Sequence, residues 1–489
     1  MSVAMPSDKE EADQAEKFSQ NFASQKQIEK KGGTEIKPQI KPSSQVEISD
    51  PAWESIQKQK NKSEKNFILT ELIDLALKNN PQTRASWEET RVAGAVEKQA
   101  ESALYPQVTL SGSVTREKLL SDISTSTSSG KTNDYHYGPS VQLTYLILDF
   151  GGRNFNIEST FQKVLKANSL YDQALQDLIL NVQTTYYNYY SAQSAVEAVE
   201  LDVQNSKTDY EAAGQKFDAG LVPKLDVLQA KSNYENSLYN LENAKGSLKS
   251  AKANLAQAIA VPADTNFDIV APSKELPLGL NEDDVAILIE ESIRKRPDIL
   301  ALRAELKSKE AASRSALSDM LPTLNLDLNA QQDKYRYYNN SRGSEDNKRN
   351  YSGVLSIDWN IFDGFSNWNK KKQADYKVNI ALDNLIQAEI EASSDVWVKY
   401  YDFVTAVQKL KYSQSYFDTT IMSYDLALES YKAGLKSILD LLQAQNSLAQ
   451  ARSRLVQSKQ DVFIALAQLA HSTGTPNIKI DSMQSKGDK

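Results

Sequence analysis

The sequence predicts an α+β protein in which one unit, two strands followed by long helices, is written twice. Three observations predict it. Phe217-Asp218-Ala219-Gly220-Leu221-Val222-Pro223-Lys224-Leu225-Asp226 returns 214 residues later as Tyr431-Lys432-Ala433-Gly434-Leu435-Lys436-Ser437-Ile438-Leu439-Asp440. Both copies continue to an Ala four residues after the Asp, Ala230 and Ala444. Short stretches of strict alternation stand between long stretches of helical period, in the same order in both halves. Finally, the helical stretches are far longer than those of ordinary globular cores.

Composition narrows the class. Apolar residues make up 40% of the 489, with Gly counted apart, which suits long helices with a narrow buried seam better than a thick core. The formal charge is −8, so no nucleic-acid partner is indicated. Two His and no Cys argue against a zinc site, disulfides or an iron–sulfur cluster. No phosphate-binding Gly-rich loop, nucleophile elbow or metal-binding His/Glu pair is legible. The expectation is therefore no enzyme and no cofactor. No apolar run approaches a transmembrane helix, but a spanning β-barrel leaves only a weak hydropathy trace. Met1 to about Lys30 lacks an apolar h-region and does not read as a signal peptide.

Residues 1–66 read as a polar N-terminal extension. Repeat 1 spans 67–261. It opens with an amphipathic helix at 67–78, which Thr70 could cap, and a second helix begins at Pro81, a favourable first position. Tyr105-Pro106 stops that helix, because a residue before Pro is pushed to extended angles. Strands follow at about 106–116 and 135–147, with a Ser-, Thr-, Asp- and Gly-rich loop over 119–134. Val108, Leu110 and Val114 alternate with Thr109, Ser111 and Ser113, so one face is apolar. Helical period returns over about 153–218 and 223–259, broken at Gly220. Some 60 residues of helix extend roughly 90–100 Å. A Pro-rich linker, 262–280, joins the halves. Repeat 2 spans 281–470, with short helices from Asp283 and Arg296-Pro297. Its strands are expected at about 323–331 and 350–362, its loop over 332–349, and its long helices at about 366–432 and 437–470. A polar tail, 471–489, ends the chain.

Four strands do not close a barrel, and the apolar face of each hairpin has no obvious cover within the chain. Three arrangements remain open on these residues: one small sheet, strands at dimer edges, or several chains sharing one barrel, which removes the edges. Alternation with an apolar outside and a polar inside fits a lipid-embedded barrel. A soluble sheet would alternate in the same way.

Certain residues carry a family resemblance. These are the two-fold repeat, the Tyr105-Pro106 and Leu321-Pro322 helix-to-strand turns, Leu148-Asp149-Phe150-Gly151-Gly152-Arg153, Ile361-Phe362-Asp363-Gly364, and the pairs Gly220…Asp226 and Gly434…Asp440. Together, over about 67–470, they resemble the TolC-like outer membrane efflux protein family. The resemblance implies a membrane protein acting as a homotrimer, with a twelve-stranded β-barrel in the lipid of the cell outer membrane, four strands per chain. A long antiparallel α-helical barrel continues it into the periplasm. The implied function is a passive exit duct of a tripartite efflux or type I secretion machine, gated at its periplasmic tip. The implied partners are a periplasmic adaptor protein and an inner-membrane pump. The alternative is a soluble or surface-associated coiled-coil scaffold protein with no transport role.

The resemblance also assigns residues. Asp440 corresponds to a ring of three carboxylates at the entrance, though the same position suits plain stabilisation of a helix N-terminus. A second acidic ring of the family falls here on Gln443, which is uncharged. Asp226, Tyr431 and Lys436 correspond to a latch holding the tip helices closed; Lys, without a bidentate fork, would latch more weakly than Arg. Gly220, Leu221, Gly434 and Leu435 correspond to the tip turns and adaptor-docking surface.

Overall fold

The computed structural model describes residues 66–119, 132–272, 284–339 and 342–475. The N-terminal half contains β1 (Asn66–Phe67), α1 (Leu69–Asn79), α2 (Pro81–Glu101), β2 (Gln107–Leu119), β3 (Thr132–Leu148), α3 (Gly152–Asp218) and α4 (Lys224–Ala258). After β4 (Asp268–Ile269) come α5 (Asp284–Lys295), α6 (Pro297–Ser318), β5 (Thr323–Asn339), β6 (Arg342–Asp358), α7 (Ser366–Lys432) and α8 (Ile438–Ser472). The helix lengths match in pairs. α3 and α7 have 67 residues each, and α4 and α8 have 35 each.

The strands β2-β3-β5-β6 form one antiparallel sheet in that order. Its register brings apolar residues into rows across all four strands. Leu110 faces Val141, which faces Ala330, which faces Tyr351; Val108, Leu143, Leu328 and Gly353 form the next row. This face is uncovered: Leu110 and Tyr351 are each 75% exposed and Val114 is 80% exposed. The other face is polar, with Ser111 bonded to Ser140 at 2.7 Å and Thr144 donating to Asp327 at 3.1 Å. Among the described residues, β2 and β6 each have one partner and so form the two edges.

The strands differ in length from those expected. Residues 117–134 are strand up to Leu119 and again from Thr132; 120–131 lie outside the described residues. The expected loop 332–349 is strand almost throughout, with Asn339 in register with Arg342. No apolar alternation marks it: Gln332, Asp333 and Lys334 on one strand and Asp346, Asn347, Lys348 and Arg349 on the other are all polar. Backbone pairing is joined there by cross-strand contacts. Gln332 donates to Asn347 Oδ1 at 3.2 Å, and Lys348 Nζ lies 4.7 Å from the Tyr335 ring centre. Seventeen-residue strands span about 55 Å, well beyond a hydrocarbon core of about 30 Å even when tilted. At its other end β6 stops at Asp358, not 362. The Trp359 indole leaves the sheet and donates to the Met320 carbonyl at 3.1 Å.

Smaller differences have local causes. Phe67 is strand, not helix, because Asn66–Phe67 pairs in parallel with Asp268–Ile269, inside the expected linker. Thr70 does not cap α1. The helix starts at Leu69 with Ile68 in the cap position, and Glu71 accepts from the Ile68 N–H at 3.4 Å. The expected N-terminal extension, apart from Asn66, and tail residues 476–489 lie outside the described residues, as does linker 273–280.

Each passage from sheet to long helix turns on an aspartate. Asp149 accepts from the backbone N–H of Arg153 at 2.7 Å, and Asp363 accepts from those of Ser366 and Asn367 at 2.9 and 2.7 Å. These bonds satisfy otherwise orphan N–H groups at the helix start. Phe150 and Phe365 are held at positive φ beside Gly151 and Gly364.

Along the long helices the buried seam is narrow. On α7 it runs through Leu385, Ala392, Val396, Tyr400, Phe403, Ser413, Thr420, Tyr424 and Tyr431, at spacings of mostly three, four and seven. That is the periodicity of coiled-coil packing. Near mid-length, Leu72 and Ala76 of α1 pack with Leu178, Val182, Tyr186 and Tyr189 of α3 and with Leu255 of α4. Tyr186 donates to the Val270 carbonyl at 2.6 Å, and Tyr187 stacks on Phe463 at 4.7 Å. The tyrosine group on α3 is thus helix packing. Leu72 is fully buried and joins α1 to two long helices. Leu72→Ala should cost about 2–5 kcal/mol, visible as a lowered thermal transition in detergent. A transition within error of the wild type would show that this cluster contributes little.

Candidate functional site: the tip of the helical hairpins

Both tip turns end their helices in the same way. The Leu221 N–H reaches back to the Lys216 carbonyl at 2.9 Å and the Gly220 N–H to that of Phe217 at 2.8 Å. In the second copy Leu435 bonds to Ser430 at 2.9 Å and Gly434 to Tyr431 at 3.0 Å. This is a Schellman closure, which requires left-handed backbone at the glycine. Gly220 has φ 69° and Gly434 φ 78°. No atom stands within 4 Å of where a Cβ would be on either, so the backbone angle, not space, selects Gly. The turns present Leu221 and Leu435 to solvent, 72% and 79% exposed, with Leu225 and Leu439 beside them.

Asp440 lies in the first turn of α8. Its Oδ2 accepts from the Ser437 hydroxyl at 2.8 Å and the Ser437 N–H at 3.0 Å, while the Ser437 Oγ accepts from the Asp440 N–H at 3.2 Å. This is a reciprocal capping box. The bonds from the Ser437 side chain and backbone hold the Asp440 carboxyl below its usual range, with the nearby Lys436 charge adding to the effect.

Asp226 stands half-buried in the first turn of α4. Tyr431 is 1% exposed, and its hydroxyl has no hydrogen-bond partner within the described chain. Burial raises the Tyr431 pKa first, followed by the charges of Asp226 and Asp209. Asp226 is thus close enough to act on Tyr431 without bonding to its hydroxyl. Lys436 is exposed.

Several residues that sequence reading passed over link the two hairpins, α3/α4 and α7/α8, just inside the tip. Lys216 donates to the Tyr431 carbonyl and lies 4.4 Å from the centre of its ring. Tyr424 of α7 donates to Asp209 of α3 at 3.1 Å. Arg452 of α8 pairs with Asp202 of α3, both nearly buried. Gln445 of α8 donates to the Asp202 carbonyl at 3.4 Å and accepts from Asn233 of α4. Around them pack Ala213, Ala230, Ile438, Leu441 and Leu448. The one signal available in the sequence was helical phase: Asp202, Asp209 and Tyr424 fall on the buried seams of their helices. A charged residue at such a position needs a partner.

Comparison with known proteins fixes the class. The profile of the outer membrane efflux protein family matches residues 72–261 and 288–475, and the chain belongs to that family. The family is that of outer membrane efflux proteins, which places the chain in the outer membrane. The soluble-scaffold reading is thereby set aside. Nodulation protein T of Rhizobium leguminosarum bv. trifolii is 24% identical over 261 residues, 53% of this chain and 54% of that protein. The chain spans about half the length of the first curated relatives it matches. The outer membrane protein TolC of Vibrio cholerae is 24% identical over 349 residues, 67% of this chain and 72% of that one. In fold, the chain resembles the outer-membrane channel OprN with a TM-score of 0.72 at 20% identity, covering 91% of this chain and 98% of that one.

Gly434→Ala should destabilise the tip by about 1–2 kcal/mol through backbone strain alone, since nothing obstructs the new methyl group. Gly434→Asn should cost less, because Asn tolerates the left-handed region better. Limited proteolysis at the tip would read both, and equal protection of wild type and both variants would contradict the assignment.

Proposed function

We infer that the chain is one protomer of a homotrimeric exit duct in the outer membrane. The observation that carries this is the sheet, with its uncovered apolar face, polar opposite face and two open edges. Backbone N–H and C=O groups at an open edge are not tolerated against lipid. Joining β6 of one protomer to β2 of the next satisfies them, and three such joins close twelve strands. Apolar rows then face lipid and polar residues line water. Below the membrane, α3, α4, α7 and α8 of three chains form the walls of a long helical barrel. The matched helix lengths and the 214-residue repeat support a chain built by duplication, with repeat 1 over 67–261 and repeat 2 over 281–470.

The duct is passive and gated at its periplasmic tip. Asp440 supplies a ring of three carboxylates around the entrance; in each chain the bonds from Ser437 favour the ionised form. Serving as an α8 cap does not exclude this role, because the carboxylate remains exposed. Asp226, Tyr431 and Lys436 form the latch between adjoining helices, with the unpartnered Tyr431 hydroxyl as its available donor. Gly220, Leu221, Gly434 and Leu435 form the surface for a periplasmic adaptor, which connects the duct to an inner-membrane pump. Exposed leucines at rigid turns suit an apolar helix-to-helix contact. The same arrangement serves efflux of small molecules and type I secretion.

The purified protein should migrate as a heat-modifiable trimer and form stable channels in a planar bilayer. A trivalent cation on the tip side should block them, and Asp440→Asn should relieve the block. Tyr431→Phe and Asp226→Ala should each raise single-channel conductance. Channels that are absent in every detergent would overturn the duct. Conductance unchanged in both latch variants would overturn the latch alone.

A further inference from the structure

Asp209 is fully buried on α3, and Tyr424, its partner on α7, is 4% exposed. One carboxylate oxygen accepts the Tyr424 O–H at 3.1 Å; the other has no partner within the described chain. A buried acceptor left unpaired is costly, and much more so when it carries charge. This contact crosses from one helical hairpin to the other, two turns inside the tip. Within each hairpin a tight Schellman turn fixes the two helices to each other, so the freedom left at the tip is movement of one hairpin against its neighbour. A contact between α3 and α7 resists that movement.

We propose that Asp209 and Tyr424 form a second, buried tie of the tip gate, firm while the Asp209 carboxyl is protonated and weakened once it ionises. The proposal rests on the gated-duct reading above and adds the condition that regulates the gate.

The surroundings of Asp209 favour the neutral acid. Burial pushes its pKa from the ordinary range up to about 7, against the opposing effects of the Tyr424 hydrogen bond and the Lys432 charge on α7. Lys432 is itself paired with Glu429 at 3.0 Å. Tyr431, also on α7, has a buried and unpartnered hydroxyl and feels the charges of both Asp209 and Asp226 of α4. From α8, Arg452 acts on Tyr424 but is engaged by Asp202; Asp425 of α7 also acts on Tyr424. No cation bonds directly to Asp209 among the described contacts. The sign follows from the direction of the shift. A carboxyl with a raised pKa favours this conformation when protonated, and its contribution is lost as pH rises from about 4 to about 7. Acid therefore holds the tie, and neutral to alkaline conditions loosen it.

The test is planar-bilayer conductance of the full-length trimer between pH 5.5 and pH 8, for wild type, Asp209→Asn and Tyr424→Phe. Each pKa unit corresponds to a tenfold change in the underlying equilibrium, so wild-type mean conductance should rise at least about threefold across this range. Asp209→Asn, a neutral isostere that still accepts from Tyr424, should stay at the low-pH level throughout. Tyr424→Phe should conduct more than wild type at pH 5.5. The two histidines, His136 and His471, are untouched by either change. If Asp209→Asn keeps the wild-type pH response, or if wild type has none, the tie is overturned while the duct stands. If no protein forms channels, both readings fall.

Discussion

Backbone polar groups have to be satisfied where there is no water, and the rest of this structure depends on that constraint. The four-stranded sheet places its apolar side chains on one continuous face and leaves that face bare. Among the described residues its edges, β2 and β6, have no second strand partner. The proposed embedding in lipid with lateral pairing between protomers accounts for both features at once. The long helices present a related problem. A 67-residue helix with a narrow seam buries too little by itself, and its stability comes from neighbours along its full length.

The packing changes character along the helices. Near mid-length, where α1 joins the long helices, the core is largely aliphatic and aromatic, with Leu72, Val182, Tyr186 and Leu255 tightly buried. Toward the tip, polar residues enter the buried seam: Asp202, Ser206, Asp209, Ser237, Gln445 and Arg452. Apolar packing is non-directional and firm. Buried polar contacts are directional and fail once one partner is lost or changes charge. A firm middle and a tip joined by separable contacts suit the tip-gated duct proposed above.

The long helices, both tip turns and the apolar face of the sheet were legible in the sequence, because each leaves a strong local mark. Pro81 and Pro297 start helices, Gly220 and Gly434 end them, and Val108, Leu110 and Val114 alternate. The upper part of the β5–β6 hairpin was not legible, since Asp333, Lys334, Asp346, Asn347, Lys348 and Arg349 are polar and give no alternating apolar signal. The hairpin-to-hairpin ties were also missed. Asp209 and Tyr424 lie 215 residues apart, and no local pattern announces such a pair. The charge of Asp440 and its place after the tip turn show in the sequence; its reciprocal bonds with Ser437 depend on the geometry of the α8 start.

Closure of the sheet between protomers is the central claim, and cysteine cross-linking tests it most directly. The chain has no Cys, so every thiol can be placed by choice. Single cysteines along β2, at Ser111 or Ser113, would be combined in turn with single cysteines along β6, at Ser352 or Ser356, and oxidised in native outer membranes. The account predicts that at least one pairing gives covalent trimers on a denaturing gel, with no larger species. A ladder extending past three protomers, or monomers from every pairing, would contradict it.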